Sequence, residues 1–184
     1  MSDFQRLIKT ITSIEEAIQE GAQNGLKQAG SRVMGTAKAK LGTYQPSVGE
    51  YPAWEKLKPQ SIKQKYSGKK GKVKESGKEY LKKYGSFAPS GTADDGPLVG
   101  TSLLRRLITT DESQLAQGNV YIGVAQKNVA TYGAAQEYGS AKRNIPPRPY
   151  LRPSVVENKE EIAEDIKNGI AEMMASFGQG DFLS

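Results

Sequence analysis

The residues best equipped for chemistry in this sequence are an adjacent pair of aspartates and a run of lysines. Asp94 and Asp95 stand in Thr-Ala-Asp-Asp-Gly-Pro. Two neighbouring carboxylates can hold a divalent cation or share a proton. The same string of small, acidic, Gly and Pro residues is also a turn composition, in which aspartate bonds nearby backbone. The turn is the expectation here, and a metal-dependent enzyme using Asp94 and Asp95 is its competitor. The pairs Glu15-Glu16 and Glu160-Glu161 fall on helical patterns and read as surface charge. The 184 residues contain no cysteine and no histidine. That removes imidazole acid–base chemistry, thiol nucleophiles, Cys/His zinc sites and disulfides. A phosphate-binding loop fails as well. Gly71-Lys-Val-Lys-Glu-Ser-Gly-Lys-Glu has one residue too many between its glycines, and Glu79 occupies the place of the metal-binding Ser or Thr. No enzyme activity, metal or cofactor is expected.

The lysines are concentrated. Between Glu55 and Gly85 there are 11 lysines against three glutamates, so the net charge of +6 belongs to this segment and the rest of the chain is slightly acidic. Lys69, Lys70, Lys72 and Lys74 could neutralise phosphates, and Tyr66, Tyr80 and Tyr84 could stack on bases. This gives an alternative function, DNA binding through an arm spanning 56–83. The arm lacks arginine, the residue that dominates specific base contacts. A solvated loop is the plainer reading, and docking on an acidic protein surface is a third.

The elements that must position these groups follow from periodicity. Apolar residues from Phe4 through Leu7, Ile8, Ile11, Ile14 and Ile18 to Val33, Ala37 and Leu41 recur at steps of three and four. They predict a long amphipathic helix, capped by Ser2 or Asp3 and stopped by Gly42. Its four internal glycines mark either close approach of another backbone or a break near Gly21 to Gly25. The pattern disappears over 42–96, which reads as a long loop or inserted arm holding the only tryptophan, Trp54, and a short helical turn near Ser61. Trp54 suits a core anchor and an interface anchor equally. A strand around 106–110, a turn at Gly118-Asn119 and an alternating strand over 120–125 predict a hairpin. A short helix should end at Gly139. Ile145-Pro-Pro-Arg-Pro-Tyr must be extended, and a second long helix runs from Pro153 to Gly178, with Ser154 and Glu157 at capping-box spacing.

The fold class is therefore α+β: a small antiparallel β-sheet packed by a long N-terminal helix and a long C-terminal helix, with an extended lysine-rich loop, in one domain over 1–184. Hydrophobic residues make up 36% and aromatics 8%, and mean hydropathy is −0.60. Such a chain tends to leave surface for a partner to bury. The start shows no signal-peptide pattern, and no stretch approaches the ~18 apolar residues of a membrane span. The expectation is a soluble protein made in the cytosol.

Three motifs in order carry a resemblance. The first is Trp54-Glu-Lys-Leu-Lys-Pro-Gln-Ser-Ile-Lys-Gln-Lys. The second is Pro97-Leu-Val-Gly-Thr-Ser-Leu-Leu-Arg-Arg. The third joins Glu137-Tyr138-Gly139-Ser140 to Pro146-Pro-Arg-Pro-Tyr-Leu-Arg-Pro153. Together they resemble the neck and tail-completion (virion-morphogenesis, minor tail) proteins of tailed bacteriophages. In the second motif, Gly100 and Ser102 replace the aspartate and glycine usual around the threonine. The lysine-rich stretch 67–85 stands as an insertion relative to the family. The resemblance implies a non-enzymatic structural protein of the virion, assembled in the bacterial host cytoplasm. It would form a homo-oligomeric ring, commonly six-fold, that completes or terminates the tail and joins it to the head, beside neighbouring neck or connector and tail-tube or sheath proteins. The candidate interface residues are Trp54, Arg105, Arg106, Glu137, Tyr138, Arg148, Tyr150, Leu151 and Arg152. Arginines and aromatics on a proline-stiffened segment make efficient contacts. The same segment could equally be an internal connection fixing the last helix, and Glu137 is the acidic partner in either case.

Overall fold

A computed structural model describes residues 2–68, 71–100 and 102–180, with backbone alone for 178–180. The elements in chain order are α1 (Asp3–Lys40), α2 (Pro59–Tyr66), α3 (Glu75–Tyr84), α4 (Leu103–Leu107), β1 (Ile108–Asp111), β2 (Tyr121–Val124), α5 (Lys127–Tyr138), α6 (Arg152–Glu157) and α7 (Lys159–Gly180). β1 and β2 form a two-stranded antiparallel sheet. The class is α+β, with the long first helix packed on the long last one. The residues fall into two compact units. The first holds 1–35, 109–123 and 157–184, and the second holds 36–108 and 124–156.

In the first unit, glycine makes the helix pairing possible. A Cβ on Gly21 would lie 2.6 Å from the Gly169 carbonyl oxygen and 2.7 Å from Ile170 Cα. One on Gly25 would collide with the backbone of Asp165 and Ile166. The glycines of α1 mark backbone-to-backbone approach of α7, and α1 runs unbroken through them. Beside this crossing, Arg32 grips Asp165 through two hydrogen bonds of 2.7 Å, and the guanidinium holds the Asp165 carboxyl below its usual range. The hairpin covers the next stretch of α1, where a Cβ on Gly30 would meet Val120 Cγ1 at 2.8 Å. At the start of α1, Ser2 and Gln5 cap each other reciprocally: the Gln5 N–H donates to Ser2 Oγ and the Ser2 N–H to Gln5 Oε1.

Along the first half of α1 most of the apolar stripe is exposed. Phe4 is 69% exposed and Ile11 56%, and Leu7, Ile8 and Ile18 are also exposed.

In the second unit, Ala37, Leu41, Trp54, Ile62, Tyr80, Leu104, Ile108 and Tyr150 are buried. The stretch 42–96, expected as a loop, carries α2 and α3. α3 has few apolar residues to signal it, and Tyr80 does most of its burial. Three boundaries also differ from expectation. Leu103–Leu107 is helical before the strand begins at Ile108. The last helical stretch divides at Asn158 into α6 and α7, and α7 continues past Gly178 to Gly180. Ser154 lies inside α6 and not at its start, and its hydroxyl donates back to the Tyr150 carbonyl.

The two kinds of glycine in α1 should respond oppositely to alanine. Gly25→Ala forces backbones apart and is expected to destabilise by about 2 kcal/mol. Gly35→Ala meets open space and should stabilise by roughly 0.5–1 kcal/mol through helix propensity. Urea-unfolding midpoints of the two variants check the opposite signs.

Candidate functional site

The third motif folds into a clasp around one carboxylate. α5 ends at Tyr138, and the chain turns through Gly139 at φ +76°. A Cβ there would press on the Ile145 carbonyl and on Pro147, each at 3.1 Å, so glycine is required by conformation and by space. Ser140 and Ile145 bridge the small loop that follows. The prolines then run extended beside the end of α5, and the Arg148 N–H donates to the Gln136 carbonyl at 2.6 Å.

Glu137 is only 2% exposed. Its Oε2 accepts the N–H groups of Tyr150 (2.6 Å) and Leu151 (3.0 Å). Its Oε1 accepts both the N–H and the Nε–H of Arg152, each at 3.1 Å. The carboxylate therefore takes the place of a capping side chain at the start of α6, satisfying amides that no intrahelical carbonyl reaches. Pro153 follows directly and has no N–H to satisfy. The Arg152 guanidinium also reaches the Glu137 carbonyl oxygen, and it lies over the Tyr138 and Tyr51 rings at 4.4 and 5.0 Å. Tyr150 is buried to 1% beneath Gly133, where a Cβ would stand 2.7 Å from its hydroxyl. Burial pushes the Tyr150 hydroxyl well above the ordinary tyrosine range.

Trp54 closes the other side. It is 5% exposed, and its indole N–H donates to the Pro149 carbonyl at 2.9 Å. Of its two readings, the core anchor is the one the fold uses. Glu137, Arg148 and Tyr150 are likewise buried within the chain, as in the reading of this segment as an internal connection, because the extended segment is laid inward over α5. Leu151 and Arg152 are half-buried. Tyr138 and Arg106 are exposed, and Arg105 is exposed on one side while its guanidinium donates to the Leu41 carbonyl.

A second hub forms on Asp95, which is fully buried. Its Oδ1 accepts from Tyr80 Oη (2.7 Å), Ser90 Oγ (2.7 Å) and Ser90 N (2.9 Å). Its Oδ2 accepts from Tyr44 Oη (2.7 Å) and Gly91 N (2.8 Å). Burial by itself would raise this carboxyl, but the hydrogen bonds from Tyr80, Ser90, Tyr44 and Gly91 hold it down at about 2. Burial also pushes the Tyr80 and Tyr44 hydroxyls up to about 12. Asp94 is exposed and accepts from Lys83 Nζ and Tyr84 Oη, both at 2.6 Å. The turn reading of Thr-Ala-Asp-Asp-Gly-Pro is the one observed, and both carboxylates are committed to protein donors. Among the described residues no group of three or more acidic side chains is placed to hold a metal ion.

The lysine-rich arm is only partly free. Lys69 and Lys70 lie outside the described residues. Lys72 is exposed, and Lys74 reaches back to the Lys65 carbonyl at 2.8 Å. The tyrosines expected to stack on bases pack against each other at tilted angles. The rings of Tyr66 and Tyr80 are 4.8 Å apart and those of Tyr80 and Tyr84 4.6 Å, and their hydroxyls point at Asp94 and Asp95. Tyr44, Ser90 and Gln136, which complete the two hubs, carried no signal in the sequence. Among the described residues no helix is long and apolar enough to cross a membrane.

No protein-family model, curated protein or solved structure matches the chain.

Two outcomes are expected from the hubs. Glu137→Gln presents an amide donor to a ring of donors and should destabilise the fold by about 3 kcal/mol, read by chemical denaturation. For Asp95 the folded value of about 2 lies below the model-peptide 3.8. The native state therefore binds the proton less tightly than the unfolded state. The stabilisation is complete above about pH 5 and is lost as pH falls from there to about 2, amounting to about 2 kcal/mol. Asp95→Asn should remove that share of the acid slope, measured by urea unfolding between pH 2 and 7.

Proposed function

We propose that this chain is a non-enzymatic structural subunit of the head-to-tail neck of a tailed bacteriophage, working as a homo-oligomeric ring that completes or terminates the tail. The observation that carries the reading is the uncovered apolar stripe of α1, from Phe4 to Ile18. Side chains of this size at steps of three and four, left open to water along one helix face, mark a surface that another protein covers. A neighbouring copy of the same chain is the occupant in a ring. The order of the three motifs supports the reading. The clasp also presents Tyr138 and the stacked edge of Arg152 at the surface, a suitable pair for a contact with an adjoining neck or tail protein. The ring would be six-fold and would sit in the virion after assembly in the host cytoplasm.

The native mass of the protein, alone and mixed with tails lacking this subunit, tests the reading. A defined ring or a ring-sized increment on the tails is expected, and a monomer that ignores tails would overturn it. Ile11→Asp should abolish assembly with helix content unchanged by circular dichroism. Retained assembly in that variant would remove the stripe from the interface.

A further inference from the structure

Arg148 is a buried cation whose partners do not balance its charge. The side chain is 5% exposed. A guanidinium offers five N–H donors and no acceptor. Here Nη2 donates to the Glu55 carbonyl at 3.1 Å and Nη1 reaches Gln136 Oε1 only at 3.5 Å. Nε is buried and has no partner. Both acceptors are neutral, and among the described residues no carboxylate lies within ion-pair distance, the Glu55 carboxylate acting on Arg148 only from further off. Burial draws the guanidinium below its ordinary pKa, although it remains charged at any working pH. A buried arginine of this kind is ordinarily paired with an acid, and leaving one unpaired is costly.

The same side chain lines a groove of about 500 Å³, within the range of sites that hold small ligands or single side chains. Lys58 and Lys65 line it too, Leu57, Ile145 and Tyr132 supply apolar walls, and no acidic residue is among its lining residues. Lys58 Nζ uses one donor on the Asn144 carbonyl and Lys65 Nζ uses its donors on the carbonyls of Asp94 and Asp95. Among the described residues neither makes an ion pair, although the Asp95 and Asp94 carboxylates act on Lys65 from further off. Leu98, at φ +65°, also borders the groove. A branched apolar residue in the left-handed region is strained, and such strain is found where a fold shapes a binding surface.

We infer that this groove binds a carboxylate side chain, glutamate or aspartate, on an acidic segment of a partner protein, with Arg148 receiving the carboxylate and Lys58 and Lys65 flanking it. The fork of a guanidinium matches a carboxylate. The apolar walls accept the methylenes of that side chain and a neighbouring residue. A carboxylate at the tip of a side chain can reach a recessed arginine. A phosphodiester, held within a continuous chain, cannot enter as far. The inference stands apart from the ring reading, since the groove is complete within one chain.

Fluorescence anisotropy of a labelled, end-blocked tetraglutamate peptide against the full chain at fixed ionic strength tests it, with tetraglutamine and a labelled oligothymidylate as comparisons. Saturable binding of tetraglutamate, none of tetraglutamine, and a loss of about tenfold or more in both Arg148→Gln and Lys58→Glu are expected. Lys58 is at the surface, so Lys58→Glu keeps the test decisive if Arg148→Gln fails to fold by circular dichroism. Absence of saturable binding, equal affinity in Lys58→Glu, or oligothymidylate binding that is tighter and equally sensitive to Lys58→Glu would overturn it. These outcomes are read without reference to assembly, so they separate from the native-mass result.

Discussion

The second unit depends on one carboxylate kept out of water. Glu137 has no room for an unmade hydrogen bond, because a buried anion is tolerated only when its oxygens are fully served. Here they are served by three consecutive backbone amides and an arginine Nε–H. The arrangement sets the order of residues around it. The chain must turn sharply after Tyr138, which calls for Gly139. It must return extended, which the prolines enforce. It must begin a helix where the amides converge, which places Pro153 one residue beyond the last of them. A motif that looks like a string of exposed anchors is mainly the covalent record of this clasp.

Asp95 does similar work among the tyrosines. Five donors from four residues converge on it, and the ring of one of them, Tyr80, packs against those of Tyr66 and Tyr84. This explains how a segment with 11 lysines and little apolar content forms two helices. Its described lysines are mostly exposed, several of them reaching backbone carbonyls or carboxylates, and Tyr80 turns inward on the Asp95 carboxylate. The apolar deficit of the composition is offset by polar groups that are paired, each buried pair being secured by geometry more than by area.

What could be read from the sequence divides along physical lines. The α1 stripe, the hairpin, the end of α5 at Gly139 and the α+β class follow from periodicity and turn chemistry, which are local. Gly21 and Gly25 permitted two explanations, and only the approach of α7 chooses between them. α3 was hidden because its ten residues hold few apolar side chains, so its helix rests on the tertiary burial of Tyr80. Glu137 could be picked out as an acidic partner, but its partners are backbone amides, which leave no mark in residue types. Arg148 could be read as an outward anchor or as part of an internal connection, and nothing in residue types chose between them, since arginine is rarely buried without an acid.

The proposed ring places the clasp and the α1 stripe at opposite ends of a stability scale. The clasp is finished within the chain, and the stripe is completed only by a neighbour. Amide hydrogen exchange, resolved along the chain in the free and the assembled protein, tests this most directly. The account predicts slow exchange at Tyr150, Leu151 and Arg152 in both states, with residues 3–18 exchanging quickly when free and becoming protected on assembly. Fast exchange at the three clasp amides, or no gain of protection over 3–18 in the assembled state, would contradict it.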